Sequence, residues 1–267
     1  MHITKASWAI LVYYFVLVIW WAILYFSGIK ETFQNYLYQF GLGLIPLIGG
    51  IMGMLNSRKW GFLSSDVGRA TFFISAGLTA WGIGQMFWSL YYNILLKIEI
   101  PYPSLADVGY ISALPLWTYG IIKLSRATGA KASIKKLTGK LLLFTIPVLA
   151  VIFSYYLLIV IARQGVIDFN VGGLKLFFDL AYPLGDLIIL TLALLIYGLS
   201  FNYLGGRFKL PIITIIGGFI FMYFTDFTFS YVTTIETYFN GHFVDLMFPS
   251  ALMLVAFGIN NLSLGSD

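Results

Sequence analysis

Apolar runs of about 20 residues recur along the chain, and this recurrence constrains the fold more than any other feature. An α-helix needs a run of about that length to cross the hydrocarbon core of a bilayer. The chain is 60% hydrophobic and 10% charged, whereas soluble domains are usually about 25% charged. Because backbone groups in lipid must bond to one another, and since the runs are too long for barrel strands, we expect an all-α, polytopic integral membrane protein. We place eight spans at about residues 8–27, 37–55, 70–96, 104–122, 141–162, 174–199, 211–234 and 242–261.

The basic residues of the connecting segments predict how the spans are oriented. Most of the 16 lysines and arginines lie near the N-terminus or in segments 56–69, 123–140 and 201–210, which share one side of the predicted bundle. Because basic loops stay in the cytoplasm, we expect a protein of the cell membrane with both termini cytoplasmic. Short outer loops join the spans of a single transmembrane domain, residues 1–267, into hairpins. The four hairpins cover about residues 8–55, 70–122, 141–199 and 211–261.

An aspartate followed four residues later by a proline occurs in two spans, within similar seven-residue phrases. Asp179 and Pro183 carry it in the sixth span, and Asp245 and Pro249 carry it in the eighth. Recurrence of this kind predicts repeated hairpin units. A looser pattern, an Asn or Asp with an aromatic residue three positions later, marks the second span of every hairpin, at Asn35, Asp107, Asp179 and Asp245.

Five aspartates lie within the spans or at their edges, in the outer half or near the midplane. No lysine or arginine lies deep in any span, so we expect these carboxyls to have no basic partner at their own depth. An isolated ionised carboxylate is very unfavourable in hydrocarbon, so each carboxyl must be neutral, face water or bind a cation. The five are Asp107, Asp179, Asp186, Asp226 and Asp245.

The prolines predict free carbonyl groups beside two of these carboxyls. A proline removes the hydrogen bond to the carbonyl four residues earlier, which belongs to Asp179 for Pro183 and to Asp245 for Pro249. Oxygen atoms grouped in this way suit a hard cation or a small polar ligand with donors. We therefore predict an outer-leaflet acidic binding site, without a named cofactor or metal. Its residues are Asp107, Tyr110, Asp179, Tyr182, Asp186, Asp226 and Asp245.

Each acidic candidate also has a structural interpretation. Asp107 fits a capping box with the serine three residues before it, which would hold the start of the fourth span. Asp179 and Asp245 fit hydrogen bonds between hairpins, whereas the deeper Asp186 and Asp226 favour a functional role. Glycines in the second and third spans are typical of close helix packing, either within the fold or in a homodimer.

Several short motifs lie in the third and fourth spans, and related phrases follow later in the chain. They are Gly84-Gln85-x-x-Trp88, PYPSLADVGY at 101–110, Leu114-Pro115-Leu116, the stretch 179–186, Thr225-Asp226 and the stretch 241–246. Over about residues 70–262 this pattern resembles the multi-helix N-terminal membrane region of bacterial diguanylate cyclases and of some bacterial and archaeal sensor histidine kinases. The resemblance implies a prokaryotic sensory input module. Since no Gly-Gly-Asp/Glu-Glu-Phe or kinase output domain is found, we expect a partner to transmit the signal.

The sequence favours a function without catalysis. It contains no nucleophile elbow, P-loop or dinucleotide fingerprint, and its basic residues belong to loops, so we expect no nucleic-acid partner. We expect a stand-alone sensor or ligand-binding module in the lipid bilayer, acting through a membrane protein partner or a homo-oligomer. One alternative is a cation- or proton-coupled transporter with helices broken at the prolines. The other is an accessory structural subunit of a membrane protein complex.

Overall fold

The computed structural model describes residues 3–128, 130–166, 170, 172–200 and 205–262, and the regular structure of these residues is helical throughout. Eight long helices account for most of it, and two of them change to π-helical geometry in their last turns. They are α1 (Lys5–Ser27), α2 (Phe33–Ser57), α3 (Asp66–Met86, continued by a π-helix over Phe87–Leu96), α4 (Leu105–Ala127), α5 (Leu137–Ser154, continued by a π-helix over Tyr155–Ile161), α6 (Gly173–Ser200), α7 (Lys209–Thr234) and α8 (Val244–Asn261). The all-α prediction is confirmed for these residues.

Seven of the helices in the described part of the chain are long and apolar enough to cross a membrane. The exception is α3, in which small and polar residues such as Gly77, Thr79 and Gln85 interrupt the apolar sequence. Each predicted span coincides with one helix, although the ends differ by a few residues. The sequence therefore located every long helix, and α3 alone falls short of the apolar content of a typical span.

Six helices form a closed ring in the order α2, α3, α4, α6, α7 and α8, with α8 returning to α2. Helix α1 packs outside the ring against α2 and α8, and α5 packs outside it against α6. Aromatic rings fill the centre, where Trp117 of α4 meets Phe219 of α7 at a centroid distance of 5.5 Å. At one end of the ring the backbone N–H of Thr4 donates to Asn261 Oδ1 at 3.1 Å, so the two terminal helices meet there.

Glycines set the close approach of the ring helices. A Cβ added to Gly50 would lie 2.6 Å from the carbonyl oxygen of Ser75, and one added to Gly109 would lie 2.5 Å from the backbone nitrogen of Gly84. On α2, Gly49 faces Ala256 of α8 in the same manner. These glycine faces are occupied by helices of the same chain, which confirms packing within the fold as their role.

The two motif prolines do not break their helices. Both α6 and α8 continue through Pro183 and Pro249 as α-helices, so the expectation of broken helices is wrong. For Pro249 the physical reason is a replacement partner: the Tyr38 hydroxyl of α2 donates to the carbonyl oxygen of Asp245 at 2.9 Å. A side chain from another helix thus supplies the hydrogen bond that the proline cannot make.

Candidate functional site

Asp107 holds the start of α4, as the capping-box interpretation predicts. Its Oδ2 accepts from the backbone N–H of Ser104 at 2.7 Å and from the Ser104 hydroxyl at 3.0 Å. Its Oδ1 accepts from the Tyr182 hydroxyl of α6 at 2.7 Å. Both carboxyl oxygens are engaged, so Asp107 caps α4 and ties it to α6.

Asp245 has a comparable position at the start of α8. Its Oδ2 accepts from the backbone N–H of Gly241 at 2.7 Å, and its Oδ1 accepts from the Tyr238 hydroxyl at 3.2 Å. Together with the bond from Tyr38 to its carbonyl, these contacts fasten α2 and the α7–α8 connection to α8. The carboxyl is almost completely buried, with 2% of the residue exposed, and it is fully satisfied.

A chain of side-chain hydrogen bonds leads to Asp245 from three other helices and from the α7–α8 connection. The Tyr110 hydroxyl donates to Gln85 Oε1 at 2.6 Å, and Gln85 Nε2 donates to Gln39 Oε1 at 2.9 Å. Gln39 Nε2 then donates to the Tyr238 hydroxyl at 3.3 Å, which donates to Asp245. Every donor points towards the carboxylate. Burial and the adjacent Asp245 carboxylate raise the pKa of Tyr238, so this phenol keeps its proton and its place as a donor.

This row, called the outer hydrogen-bond chain below, comprises Tyr110, Gln85, Gln39, Tyr238 and Asp245 and links α4, α3, α2 and α8. Sequence reasoning included Tyr110 and Asp245 but missed the other three. Gln39 and Gln85 were detectable in principle, because a glutamine inside an apolar helix needs partners as an aspartate does.

Asp179 does have a basic partner, which corrects the sequence-based expectation. Arg163 Nη2 lies 3.8 Å from Asp179 Oδ1, and the Tyr102 hydroxyl donates to the same oxygen at 3.0 Å. Burial, followed by the Asp179 charge, raises the pKa of Tyr102 above its ordinary value. Arg163 follows α5 and reaches α6 from outside the span, so Asp179 lies at the surface of the fold, with 21% of its side chain exposed, and not in the apolar interior.

Asp186 and Asp226 form a separate pair on facing helices, α6 and α7. Neither carboxyl hydrogen-bonds to, or forms an ion pair with, any residue that the structure describes. The two are close enough for their charges to interact.

A small cavity adjoins Asp186. Its volume of about 10 Å³ is close to the minimum that one water molecule occupies. Its wall is otherwise aromatic or apolar, apart from the Tyr223 hydroxyl, which donates to Ser154 at 2.9 Å. The lining residues are Trp117, Asp186, Ile189, Phe219, Met222 and Tyr223.

The seven predicted residues therefore do not converge on one pocket. Asp107 binds Tyr182, whereas Tyr110 and Asp245 lie at opposite ends of the outer hydrogen-bond chain. Asp179 pairs with an arginine at the surface. Only Asp186 and Asp226 remain without a hydrogen-bond partner among the described residues.

An open cleft of about 830 Å³ lies at the end of the fold where Tyr238 bonds to Asp245. The sequence did not predict it. It is bounded by the start of α2, the π-helical end of α3 and the α7–α8 connection. We call it the outer cleft. Its lining residues are Glu31, Phe33, Tyr36, Trp88, Asn93, Ile94, Lys97, Ile98, Glu99, Ile100, Thr233, Tyr238 and Asn240.

The π-helix explains how α3 lines this cleft. Its hydrogen bonds join residues five apart, so Trp88 and Asn93 lie one turn apart on the same side. In an α-helix of 3.6 residues per turn the two side chains would point to different sides. The helix ends at Lys97, whose backbone has a left-handed φ of 54°. The change of helix type therefore brings an indole and an amide to one wall.

Several polar groups around the outer cleft already have partners. The Glu31 carboxylate accepts from the backbone N–H of Asn240 at 2.7 Å and from its Nδ2 at 2.9 Å. Trp88 Nε1 donates to Asn240 Oδ1 at 3.4 Å. The exception is Asn93: its residue is only 8% exposed, yet its Nδ2 has no acceptor among the described residues. A lone asparagine inside the apolar run 87–96 was the sequence signal for this site.

Comparison with models of known protein families, with curated proteins and with solved structures gave no match. Within the described residues, no group of three or more His, Cys, Asp or Glu side chains is placed to hold a metal ion. The outer cleft and the Asp186–Asp226 pair are therefore the two features of the fold that bear on function.

Proposed function

We propose that the protein is a multi-pass membrane protein of the cell membrane that binds a small ligand in the outer cleft and acts through a partner protein. It is a sensor-type module without catalytic activity. The observation that carries this proposal is the outer cleft itself, whose volume is about 830 Å³ and whose wall combines aromatic rings such as Trp88 with the amides of Asn93 and Asn240. Clefts of this size with a few polar groups on an apolar wall are typical of small-ligand sites.

The distribution of charge supports the orientation in this proposal. Basic residues at the start of α1, the end of α2 and the end of α4 lie at the end of the bundle where the termini meet. Lys5, Arg58 and Arg126 are examples, and under the positive-inside rule they favour a cytoplasmic location for that end. The outer cleft then opens to the exterior. In this arrangement α3 is an eighth span, shielded from lipid on two sides by α2 and α4.

A route from the cleft into the fold follows from Tyr238. This residue lines the outer cleft and also donates to Asp245 at 3.2 Å. A ligand that moves Tyr238 alters the outer hydrogen-bond chain, which joins four helices of the ring. Binding would then shift the balance between two arrangements of these helices, which a partner in the membrane can read. The duplication of hairpins stays a prediction and is not needed for this mechanism.

Native mass spectrometry of protein purified from its own host membranes tests the proposal. Ile98 lines the cleft and is half exposed, so Ile98→Trp fills the cleft without disturbing a packed core. Leu95→Trp is the matched control, because Leu95 is exposed on the same helix end but is not among the lining residues. We expect a bound small molecule on the wild type and on Leu95→Trp, and its loss from Ile98→Trp.

Two results would contradict ligand binding in the cleft. One is an adduct that Ile98→Trp retains at the wild-type level, since the molecule would then bind elsewhere. The other is the absence of any adduct on the wild type, together with no thermal stabilisation by concentrated extracts of the host cells and their medium.

A second candidate, proton- or cation-coupled transport, is favoured by one specific observation. Asp186 on α6 and Asp226 on α7 are close enough for their charges to interact, and they have no neutralising partner among the described residues. Carboxyls of this kind in spans often mark ion pathways. Proton and sodium uptake by proteoliposomes under a membrane potential tests it. Uptake that Asp186→Asn abolishes and the surface variant Asp179→Asn preserves would support transport, whereas no uptake of either ion by the wild type would exclude coupling to them.

A further inference from the structure

We infer that the connection between α4 and α5 binds an anionic phospholipid at the membrane surface. The phosphate of the lipid headgroup lies at Lys135 and Lys140, and an acyl chain lies along the exposed apolar face of α5. The connection is at the end of the bundle opposite the outer cleft. The inference goes beyond the proposed function and needs only that α5 crosses the bilayer, so it fails or holds independently of ligand binding in the cleft.

The α4–α5 connection is the most basic segment of the chain. Six lysines or arginines lie within residues 123–140, whereas no Asp or Glu lies between Asp107 and Asp168. Clusters of about four to eight basic residues next to a membrane-crossing helix attract anionic lipid headgroups. The six are Lys123, Arg126, Lys131, Lys135, Lys136 and Lys140.

The connection is folded closely against the start of α5. A short helix, Ala130–Ser133, packs against α4 and α6. The backbone N–H of Lys136 donates to the carbonyl oxygen of Ser133 at 2.9 Å, and a Cβ added to Gly139 would overlap the same oxygen. These contacts fix the chain beside the first turn of α5. Lys136 and Lys140 then follow about one turn apart on the same side.

Two lysines of this connection are available to a ligand. Lys135 and Lys140 are exposed, and neither forms an ion pair with a residue that the structure describes. Lys123 differs from them, because its Nζ lies 3.5 Å from Asp66 Oδ1. The first turn of α5 also contains no acidic residue. A headgroup phosphate supplies the negative charge that the protein lacks here, through charge-assisted hydrogen bonds to the two ammonium groups.

An exposed apolar face follows directly after these lysines. Phe144 lies one turn beyond Lys140 and is 72% exposed, and Val148 continues the same side of the helix. Helix α5 packs outside the ring, and it is long and apolar enough to cross a membrane. A phospholipid held at Lys140 can therefore extend an acyl chain along Phe144. This combination of charge and apolar surface favours a lipid over a soluble anion.

Native mass spectrometry of the delipidated protein in detergent tests the inference. The probes are phosphatidylglycerol and phosphatidylcholine with identical acyl chains, so that only the headgroup charge differs. We expect one phosphatidylglycerol to be retained at lipid concentrations at which phosphatidylcholine is not. Glycerol 1-phosphate is the soluble headgroup, and we expect it neither to bind nor to displace the lipid at these concentrations.

Variants at the two exposed lysines connect the lipid to the site. We expect the double variant Lys135→Gln/Lys140→Gln to bind phosphatidylglycerol roughly tenfold more weakly, since each basic residue near the surface contributes severalfold. Lys135→Arg/Lys140→Arg keeps both charges and should retain the lipid.

Lys5→Gln is the matched control. Lys5 is an exposed lysine at the start of α1, the other helix outside the ring. Its surroundings differ because Thr4 caps this helix, its Oγ1 accepting from the backbone N–H of Ser7 at 3.2 Å. The control removes one charge from the same end of the bundle, and we expect phosphatidylglycerol binding to stay unchanged.

Three outcomes would overturn the assignment. Equal retention of phosphatidylglycerol and phosphatidylcholine by the wild type would show that the headgroup charge is not recognised. Wild-type binding by Lys135→Gln/Lys140→Gln, or an equal loss in Lys5→Gln, would show that the lipid is attracted by the overall charge and not by this site. Glycerol 1-phosphate that binds as tightly as the lipid would assign the lysines to a soluble phosphate instead.

Discussion

Asp245 and the Asp186–Asp226 pair are aspartates in helices of the same bundle, yet their surroundings are opposite. Asp245 lies in the first turn of α8, where the Gly241 N–H and the Tyr238 hydroxyl supply donors. Asp186 lies in the middle of α6, where the backbone N–H groups are already bonded within the helix. Its neighbourhood is apolar and contains a second carboxyl. A helix start supplies the donors that an acid needs, and a helix middle does not.

The repeated phrase shows the same principle in two stretches of similar local sequence. Asp245 is the second residue of α8, whereas Asp179 is the seventh residue of α6. The free N–H groups of a helix start are within reach of Asp245 but not of Asp179. Asp179 therefore pairs with Arg163 at the surface. The two phrases are similar, yet Asp245 caps a helix and Asp179 forms a surface ion pair, because their helices begin at different positions.

The largest expected effect separates these two phrases. Asp245→Ala leaves the Gly241 N–H and the Tyr238 hydroxyl buried without an acceptor, each at about 1–3 kcal/mol. We expect the free energy of unfolding to fall by roughly 3 kcal/mol. Asp179→Ala, which removes a partly exposed ion pair, should change it by less than about 1 kcal/mol. Thermal unfolding in the same detergent measures both, and equal losses would show that the environments do not differ as described.

Replacing a carboxyl of the Asp186–Asp226 pair should raise the free energy of unfolding, not lower it. Replacing Asp186 or Asp226 by Leu removes a carboxyl without hydrogen-bond partners from an apolar site, which we expect to stabilise the fold by roughly 1–3 kcal/mol. The cavity beside Asp186 gives the larger side chain room. Unfolding temperatures of the two variants check this, and a clear decrease in both would indicate that the pair binds a stabilising cation or water.

A double-mutant cycle tests whether Tyr38 replaces the hydrogen bond that Pro249 removes. Tyr38→Phe leaves the Asp245 carbonyl without this partner, and we expect a loss of about 1–2 kcal/mol. Pro249→Ala restores a backbone N–H that reaches that carbonyl, so Tyr38→Phe should be much less harmful in its background. Equal effects of Tyr38→Phe in both backgrounds would show that the two groups act independently.

The smallest expected effect concerns His242, next to the outer hydrogen-bond chain. Burial and the Lys30 ammonium lower the pKa of His242 from its ordinary value of 6.5. The folded protein therefore favours the neutral ring, and this contribution to stability is complete above pH 6.5 and is lost as the pH falls below it. We expect His242→Gln to reduce the loss of thermal stability between neutral and mildly acidic pH. An identical pH profile for the variant and the wild type would exclude this role.

The sequence by itself determined the helices and the capping of α4. Length and apolarity are local properties, so all eight helices could be located from the chain alone, and the Ser104–Asp107 capping box was readable because its partners are three residues apart. Candidate spans follow from the same features, with α3 as the exception because its polar residues face neighbouring helices. Close packing by glycine was likewise a local signal.

Only the tertiary structure decided which acids are satisfied and where the outer cleft forms. Tyr38 and Asp245 are 207 residues apart, and no local pattern pairs them. The outer cleft depends on three distant segments and on a π-helix that turns Trp88 and Asn93 to one side, a geometry that apolar periodicity does not encode. Helix formation is a property of neighbouring residues, whereas the partner of a buried polar group is set by how separate helices pack.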